Sequence, residues 1–174
     1  SWAIGVFDLD HFKRINDTYG HRIGDRVLQE VRPALSRVMR PDERITRWGG
    51  EEFVLCLRYS DLKVLEMRVE EMRLALASIP ERLETAGKLT PRSVTASVGV
   101  CLYEASHGFA ETLAKADDAL FTAKKTGRDR VVFFNDIARG TAASRPCQHT
   151  IHPAQEPATG EMQQRDIWLT GMKI

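Results

Sequence analysis

The chain has 174 residues, 43% of them hydrophobic, and its 25 Lys and Arg nearly balance 24 Asp and Glu. That is enough apolar material for the core of one domain, and the balanced charge argues against a polybasic nucleic-acid or membrane-surface module. Three cysteines (Cys56, Cys101 and Cys147) without a Cys-x-x-Cys pair suggest neither a zinc site nor a disulfide framework, which fits a reducing, cytoplasmic setting, and no apolar run is long enough to span a bilayer.

The chain opens inside an apolar run, Trp2-Ala3-Ile4-Gly5-Val6-Phe7, with no signal peptide, as a fragment cut from a longer parent protein, itself free to be membrane-anchored, would. Ala3 to Phe7 reads as a buried strand ending at Asp8. A polar stretch follows, with a short helix from Phe12 to Asp17. A second helix is expected to begin at Asp25, with Val27, Val31, Leu35 and Val38 as its core stripe. Pro33 falls inside that stripe and should kink or open the helix. Ile45 to Trp48 and Phe53 to Leu57 are short strands around a tight Gly49-Gly50 turn, a hairpin signal.

Leu62, Leu65, Val69, Met72, Leu76 and Ile79 step by three and four, which predicts a core-facing helix over 61–79. Val94, Ala96, Val98, Val100 and Leu102 alternate with smaller or polar residues, as in a strand with one buried face. Leu113 to Thr126 reads as a helix with Gly127 as a left-handed C-cap, and Val131 to Phe134 as a last strand. This order implies an α/β fold of the α+β sandwich kind, a mixed, largely antiparallel sheet flanked by helices. After Asn135 the chain is rich in Ala, Thr, Pro, Gln and Gly with no apolar period. Residues 1–135 are therefore expected to form the domain and 136–174 a low-complexity tail, with Ile167, Trp168 and Leu169 as its one plausible anchor.

Two segments carry candidate chemistry. Gly49-Gly50-Glu51-Glu52 sets two adjacent carboxylates after two glycines, which allow a backbone to approach a ligand closely. A solvated hairpin tip would look the same. Asp8 ends a buried strand, where a carboxylate is costly unless paired or metal-bound. Asp8 and Glu51 meet if the first strand lies beside the hairpin, and their hard oxygens would suit Mg²⁺ or Mn²⁺ carrying a phosphate. Acidic caps on two surface turns are the alternative.

Three segments together resemble the GGDEF family of diguanylate cyclases. They are Asp8-Leu9-Asp10-His11-Phe12-Lys13-Arg14-Ile15-Asn16-Asp17-Thr18-Tyr19-Gly20-His21-Arg22-Ile23-Gly24-Asp25, then Gly49-Gly50-Glu51-Glu52-Phe53, the GGEEF form of the name-giving turn, and Ala116-Asp117-Asp118-Ala119-Leu120 through Arg128. The resemblance runs from about Ala3 to Phe134 and implies a nucleotide-cyclase or palm-like fold.

The resemblance implies an enzyme that condenses two GTP into the bacterial second messenger cyclic di-GMP, as a homodimer, under an upstream sensory or regulatory domain. It implies that Asp8, the Leu9 carbonyl and Glu51 ligate metal, two ions per active site, with Glu52 in support. The family also assigns the Glu51 position as general base, but a metal-bound carboxylate is a poor base, so the metal role is stressed. Asn16 and Asp25 would read guanine, whose paired N1–H and N2–H donors a carboxylate can accept. Taken without the resemblance, Asp25 is equally an N-cap. His21 is a weaker substrate contact. Phe12, through its backbone, and Lys13, Gly50, Lys124 and Arg128 would hold the phosphates.

Arg40-Pro41-Asp42-Glu43 stands where many members carry Arg-x-x-Asp, an inhibitory site for the product. Glu43 replaces the acid and Pro41 stiffens the segment, so inhibition through Arg40 and Glu43 is in doubt. Asp129 stands where the family often has Asn, with no strong consequence expected. A domain that binds GTP or cyclic di-GMP without catalysis is the alternative function. It is disfavoured because Asp8, Glu51, Asn16, Asp25, Lys124 and Arg128 are all present. Asp25 disfavours an adenylyl cyclase, and small size and balanced charge disfavour a polymerase palm.

Overall fold

The computed structural model describes residues 1–83 and 94–135. The proposed tail and its anchor lie outside the described residues. The elements run β1 (Trp2–Leu9), α1 (Phe12–Tyr19), α2 (His21–Leu35), β2 (Arg44–Gly49), β3 (Glu52–Arg58), α3 (Leu62–Ala77), α4 (Ile79–Arg82), β4 (Ala96–Leu102), α5 (Gly108–Lys125) and β5 (Val131–Phe133). The sheet order is β2-β3-β1-β4-β5, antiparallel except for the β4–β5 pair. This is the mixed sandwich that the element order implied.

The apolar opening run becomes the central strand because both its faces are covered. Ala3, Phe7 and Leu9 face the larger cluster, which holds Leu65, Val69 and Leu76 of α3 and Val27 and Val31 of α2. Ile4 and Val6 face a smaller cluster with Ala116 and Leu120 of α5. Side chains alternate along a strand, so Asp8 falls on the α5 side. Phe7 and Phe53 stack across the β1–β3 pair, centroids 4.9 Å apart, each burying a large apolar surface close to the site.

Several expectations change. The second helix starts at His21, four residues before Asp25, with Gly20 at φ +84 as its N-cap. Glycine makes that corner without strain, so Asp25 lies inside the helix and caps nothing. Pro33 does not interrupt α2, which runs on to Leu35. It is only two residues from the end, where Ser36 Oγ donates to its carbonyl at 2.8 Å.

The hairpin turn is shifted by one residue. Gly49 pairs with Glu52, and the register slips between Arg47 and Gly49. Gly50 and Glu51 therefore form the tip, with Gly50 at φ +52. Leu62 is exposed at the start of α3, outside the core stripe; the Asp61 side chain caps this helix, accepting from Val64 N at 3.0 Å.

β4 is buried on both faces, not one. Its small residues were the misleading signal. A Cβ on Gly99 would lie 2.1 Å from both the Ala116 carbonyl oxygen and the Leu120 nitrogen. The backbone of α5 thus rests directly on β4, and small residues there mark close packing rather than exposure. α5 itself begins at Gly108, five residues before Leu113. Gly127 follows its C-cap with the expected positive φ, +124.

Candidate active site

The site gathers where β1 ends, at the hairpin tip, under the last turns of α5. Asp8 opposes Glu52 in the β1–β3 register, and Leu9 N donates to the Glu51 carbonyl at 3.3 Å. The meeting of Asp8 with the Glu51 segment is therefore a product of strand pairing. Lys124 reaches down from α5 and sets Nζ 2.9 Å from Asp8 Oδ2. Arg47 Nε donates to the Gly50 carbonyl at 2.8 Å and braces the tip.

Asp8 is 8% exposed. Burial pushes its carboxyl up to about 6; Lys124 opposes the shift, while Glu51 and Glu52 add to it. Desolvation outweighs the ion pair, so this carboxylate is held at a cost that a further cation would relieve. Among the described residues, no three acidic, His or Cys side chains are grouped to enclose a metal. Asp8 and Glu51 beside the Leu9 backbone are instead a small set of hard oxygens. That suits Mg²⁺, which keeps waters and takes phosphate oxygens rather than filling a protein cage.

The candidate guanine residues sit on α1 and α2. Asn16 packs against Gly24 so closely that a Cβ there would lie 1.8 Å from Asn16 Oδ1. Asp25 is exposed and lines a cavity of about 370 Å³ with Leu28, Gln29 and Arg32 of α2 and Ile45, Arg47 and Phe53 of the hairpin. Arg47 and Phe53 thus border both this cavity and the acidic tip. His21 opens α2 in an exposed position, and Lys13 is exposed on the first turn of α1, beside a buried Phe12. The N-terminus of α1 has no side-chain cap. Arg128 is exposed just beyond α5, one helical step past Lys124, with φ +60.

The suspected inhibitory pair is divided. Glu43 is 4% exposed and accepts from Arg40 N (2.8 Å), Arg58 N (3.0 Å) and Arg68 Nη1 and Nη2 (2.8 and 2.6 Å). Burial alone would raise this carboxyl, but the Arg68 guanidinium and the two backbone N–H groups hold it below the usual range. Its oxygens are committed to the fold. Arg40 is exposed and lines a second cavity, of about 510 Å³, with Asp42, Arg58 and Tyr59.

Sequence reasoning missed Gly24, Arg47 and Asp10. Gly24 and Asp10 lie within the segments that carry the resemblance, but nothing local distinguishes them; Arg47 reaches the Gly50 carbonyl beside a register shift that no periodicity reveals.

Comparison with known proteins bears on this geometry. The family model described as "Diguanylate cyclase, GGDEF domain" matches residues 1–130. The chain is 39% identical over 128 residues to the diguanylate cyclase DgcP of Pseudomonas aeruginosa, covering 74% of this chain and 18% of that protein. Its structure resembles the GGDEF domain of DgcB from Caulobacter crescentus, solved with c-di-GMP (TM-score 0.67, 30% identity, 77% of this chain and 78% of that one). It also resembles the diguanylate cyclase SiaD of Pseudomonas aeruginosa, solved with its activator SiaC (TM-score 0.69, 37% identity, 76% and 50%). The chain spans 18% to 30% of the length of the first curated relatives it matches.

Proposed function

Because the chain belongs to the GGDEF family of diguanylate cyclases, we propose that residues 1–135 are a catalytic domain that condenses two GTP into cyclic di-GMP. Each 3′-hydroxyl oxygen forms a bond to the α-phosphorus of the facing GTP as the bond from that phosphorus to pyrophosphate breaks. The hydroxyl proton passes to solvent, and two pyrophosphates leave over the cycle. One domain presents one GTP, so a two-fold homodimer completes the reaction.

Asp25 accepts the guanine N1–H and N2–H, and Asn16 serves a neighbouring donor and acceptor edge. His21 lies at the rim as a weaker contact. Lys124, Arg128 and Lys13, with the Phe12 backbone and the open Gly50 tip, bind and neutralise the phosphates. Asp8, the Leu9 carbonyl and Glu51, supported by Glu52, are the residues that would hold Mg²⁺ or Mn²⁺, two per site. Bound there, such ions would polarise the α-phosphate, lower the pKa of the attacking hydroxyl and stabilise the leaving pyrophosphate. Inhibition by product through the Arg40 and Glu43 pair is disfavoured in this reading, since Arg68 holds the Glu43 carboxylate and Arg40 Nη1 donates to the Arg58 carbonyl at 3.1 Å.

What supports the reading above all is the convergence of the β1 end, the hairpin tip and Lys124, with Asp8 and Lys124 2.9 Å apart. That the similar cyclase SiaD was solved with its activator SiaC supports a regulatory partner for this domain. The free Cys56 and Cys101 suit the cytosol, and among the described residues no helix is long and apolar enough to cross a membrane.

The test is incubation with Mg²⁺ and GTP, followed by assay of cyclic di-GMP and pyrophosphate. Product is expected, and Glu51→Gln should lower turnover by at least about 100-fold. GTP binding without product at micromolar protein would make the domain a regulatory nucleotide-binding module instead.

A further inference from the structure

We propose that Asp10 is a positioning residue, whose buried carboxylate fixes a strained turn and so aims Arg128 at the nucleotide phosphates. The inference rests on the reading of Arg128 as a phosphate contact.

The turn is unusual. Gly127, Arg128 and Asp129 follow one another at φ +124, +60 and +47. Left-handed backbone is unfavourable for L-residues with a Cβ, and two in succession persist only where the surroundings over-determine them. Four restraints do so. Arg128 N donates to the Ala123 carbonyl at 3.0 Å, and Arg130 Nε to the Arg128 carbonyl at 3.0 Å. Asp129 N donates to Asp10 Oδ2 at 3.0 Å. The Asp129 carboxylate pairs with Arg73 of α3, which Glu70 also holds.

Asp10 is the buried member of this set, 3% exposed. Its Oδ1 accepts from Ser97 Oγ at 2.7 Å, and its Oδ2 also accepts from Thr95 Oγ1 at 2.9 Å. Its own N–H is tied to the Thr95 carbonyl at 2.8 Å. A buried carboxylate persists only when its lone pairs are used. Here one of the bonds leaves the β1–β4 pair and reaches a loop otherwise on the surface. Arg128 and Asp129 are both exposed, so core packing does not explain the turn. Asp10 lies two residues from Asp8, and Arg128 lies four residues from Lys124, the partner of Asp8. The Asp10–Asp129 bond therefore ties the acidic end of β1 to the cationic end of α5 at a fixed offset.

Asparagine separates geometry from charge. An amide oxygen can accept from Thr95 and the Asp129 N–H, while its NH₂ donates to the Ser97 hydroxyl, which can act in either role. Alanine removes every bond. The measurements are binding of a non-hydrolysable GTP analogue with Mg²⁺, and KM and kcat for GTP. Asp10→Ala should weaken analogue binding about 10-fold, as lost phosphate contacts do. That loss should vanish in an Arg128→Ala background, because the effect runs through Arg128. Asp10→Asn should recover most of the affinity.

If Asp10→Ala does not fold, Asp129→Pro takes its place, since proline removes the same N–H and forbids the positive φ. It too should add nothing to Arg128→Ala. A full additive loss on Arg128→Ala, or an Asp10→Asn as weak as Asp10→Ala, would overturn the proposal. A wild-type protein that binds the analogue yet makes no cyclic di-GMP would instead sink the cyclase reading, and the binding comparison would still decide the role of Asp10.

Discussion

Gly24→Ala would place a methyl group where the Asn16 amide now sits. The new carbon would lie 1.8 Å from Asn16 Oδ1, 3.0 Å from its Cγ and 3.1 Å from Phe12 Cζ. An ordinary contact needs roughly 3.4 Å, so the amide oxygen must retreat by about 1.5 Å, while the Phe12 ring need give only a few tenths of an ångström. The clash is with the end of a side chain, and Asn16 can turn away. Inside α2, alanine gains about 0.8–1 kcal/mol of helix propensity over glycine. An off-rotamer Asn16 costs about 0.5–1.5 kcal/mol. The two nearly cancel, and the fold should be unaffected. Recognition should not be. Losing one or two hydrogen bonds to the base costs about 2 kcal/mol, or about 30-fold in affinity. A thermal melt and a titration with a GTP analogue separate the two effects. Unchanged affinity with a normal melt would show that Asn16 does not read the nucleotide. A fall in melting temperature beyond about 10 °C would show that α1 and α2 are forced apart rather than the amide displaced.

The other expectations concern Asp8, Asp25 and Arg68. Burial raises the Asp8 carboxyl from 3.8 to about 6, so its protonated form favours folding; that contribution is complete below pH 3.8 and lost as pH rises through 6. Asp8→Asn should therefore stabilise the metal-free domain at pH 7.5, by about 3 kcal/mol at most, while removing Mn²⁺ binding measured by calorimetry. An unchanged or lower melting temperature would mean that the Lys124 pair outweighs desolvation. In the wild type, Mn²⁺ affinity should climb as pH passes 6 and then level off. Asp25→Ala should relax the preference for GTP over ATP with a stability change within about 0.5 kcal/mol, because the residue is exposed within a helix; retained selectivity would remove Asp25 from the base site. Arg68→Ala strands the buried Glu43 charge and should lower stability in urea by about 3 kcal/mol. A loss below about 1 kcal/mol would show Glu43 free to serve a ligand after all.

Much of the candidate site could be read from residue order, because its parts are local. Asp8-Leu9 ending an apolar run, two acids after Gly49-Gly50, and Lys124 to Arg128 closing a helix are each visible within a few positions. The α3 stripe and the central strand were legible for the same reason, since their periods of 3.6 and 2 lie in the chain itself. Errors came where the decisive residue lay outside the pattern that gave the reading. The alternation in β4 suggested one wet face, yet α5 lies on Gly99. Gly24-Asp25 suggested a cap, yet Gly20 had already turned the chain into α2. Arg40 and Glu43 looked like a pair, yet Arg68, 25 residues on, claims the Glu43 carboxylate.

The candidate site's acids and cations, then, and the apolar periods that place them at element ends, are written in local residue order. Which groups touch was settled by the sheet. β1 lies between β3 and β4, and this brings Asp8 to Glu52 and Asp10 to Asp129, 119 residues away. A hydrogen bond acts over about 3 Å, whatever the separation along the chain, so the partner of a buried carboxylate becomes known only when the strands are packed.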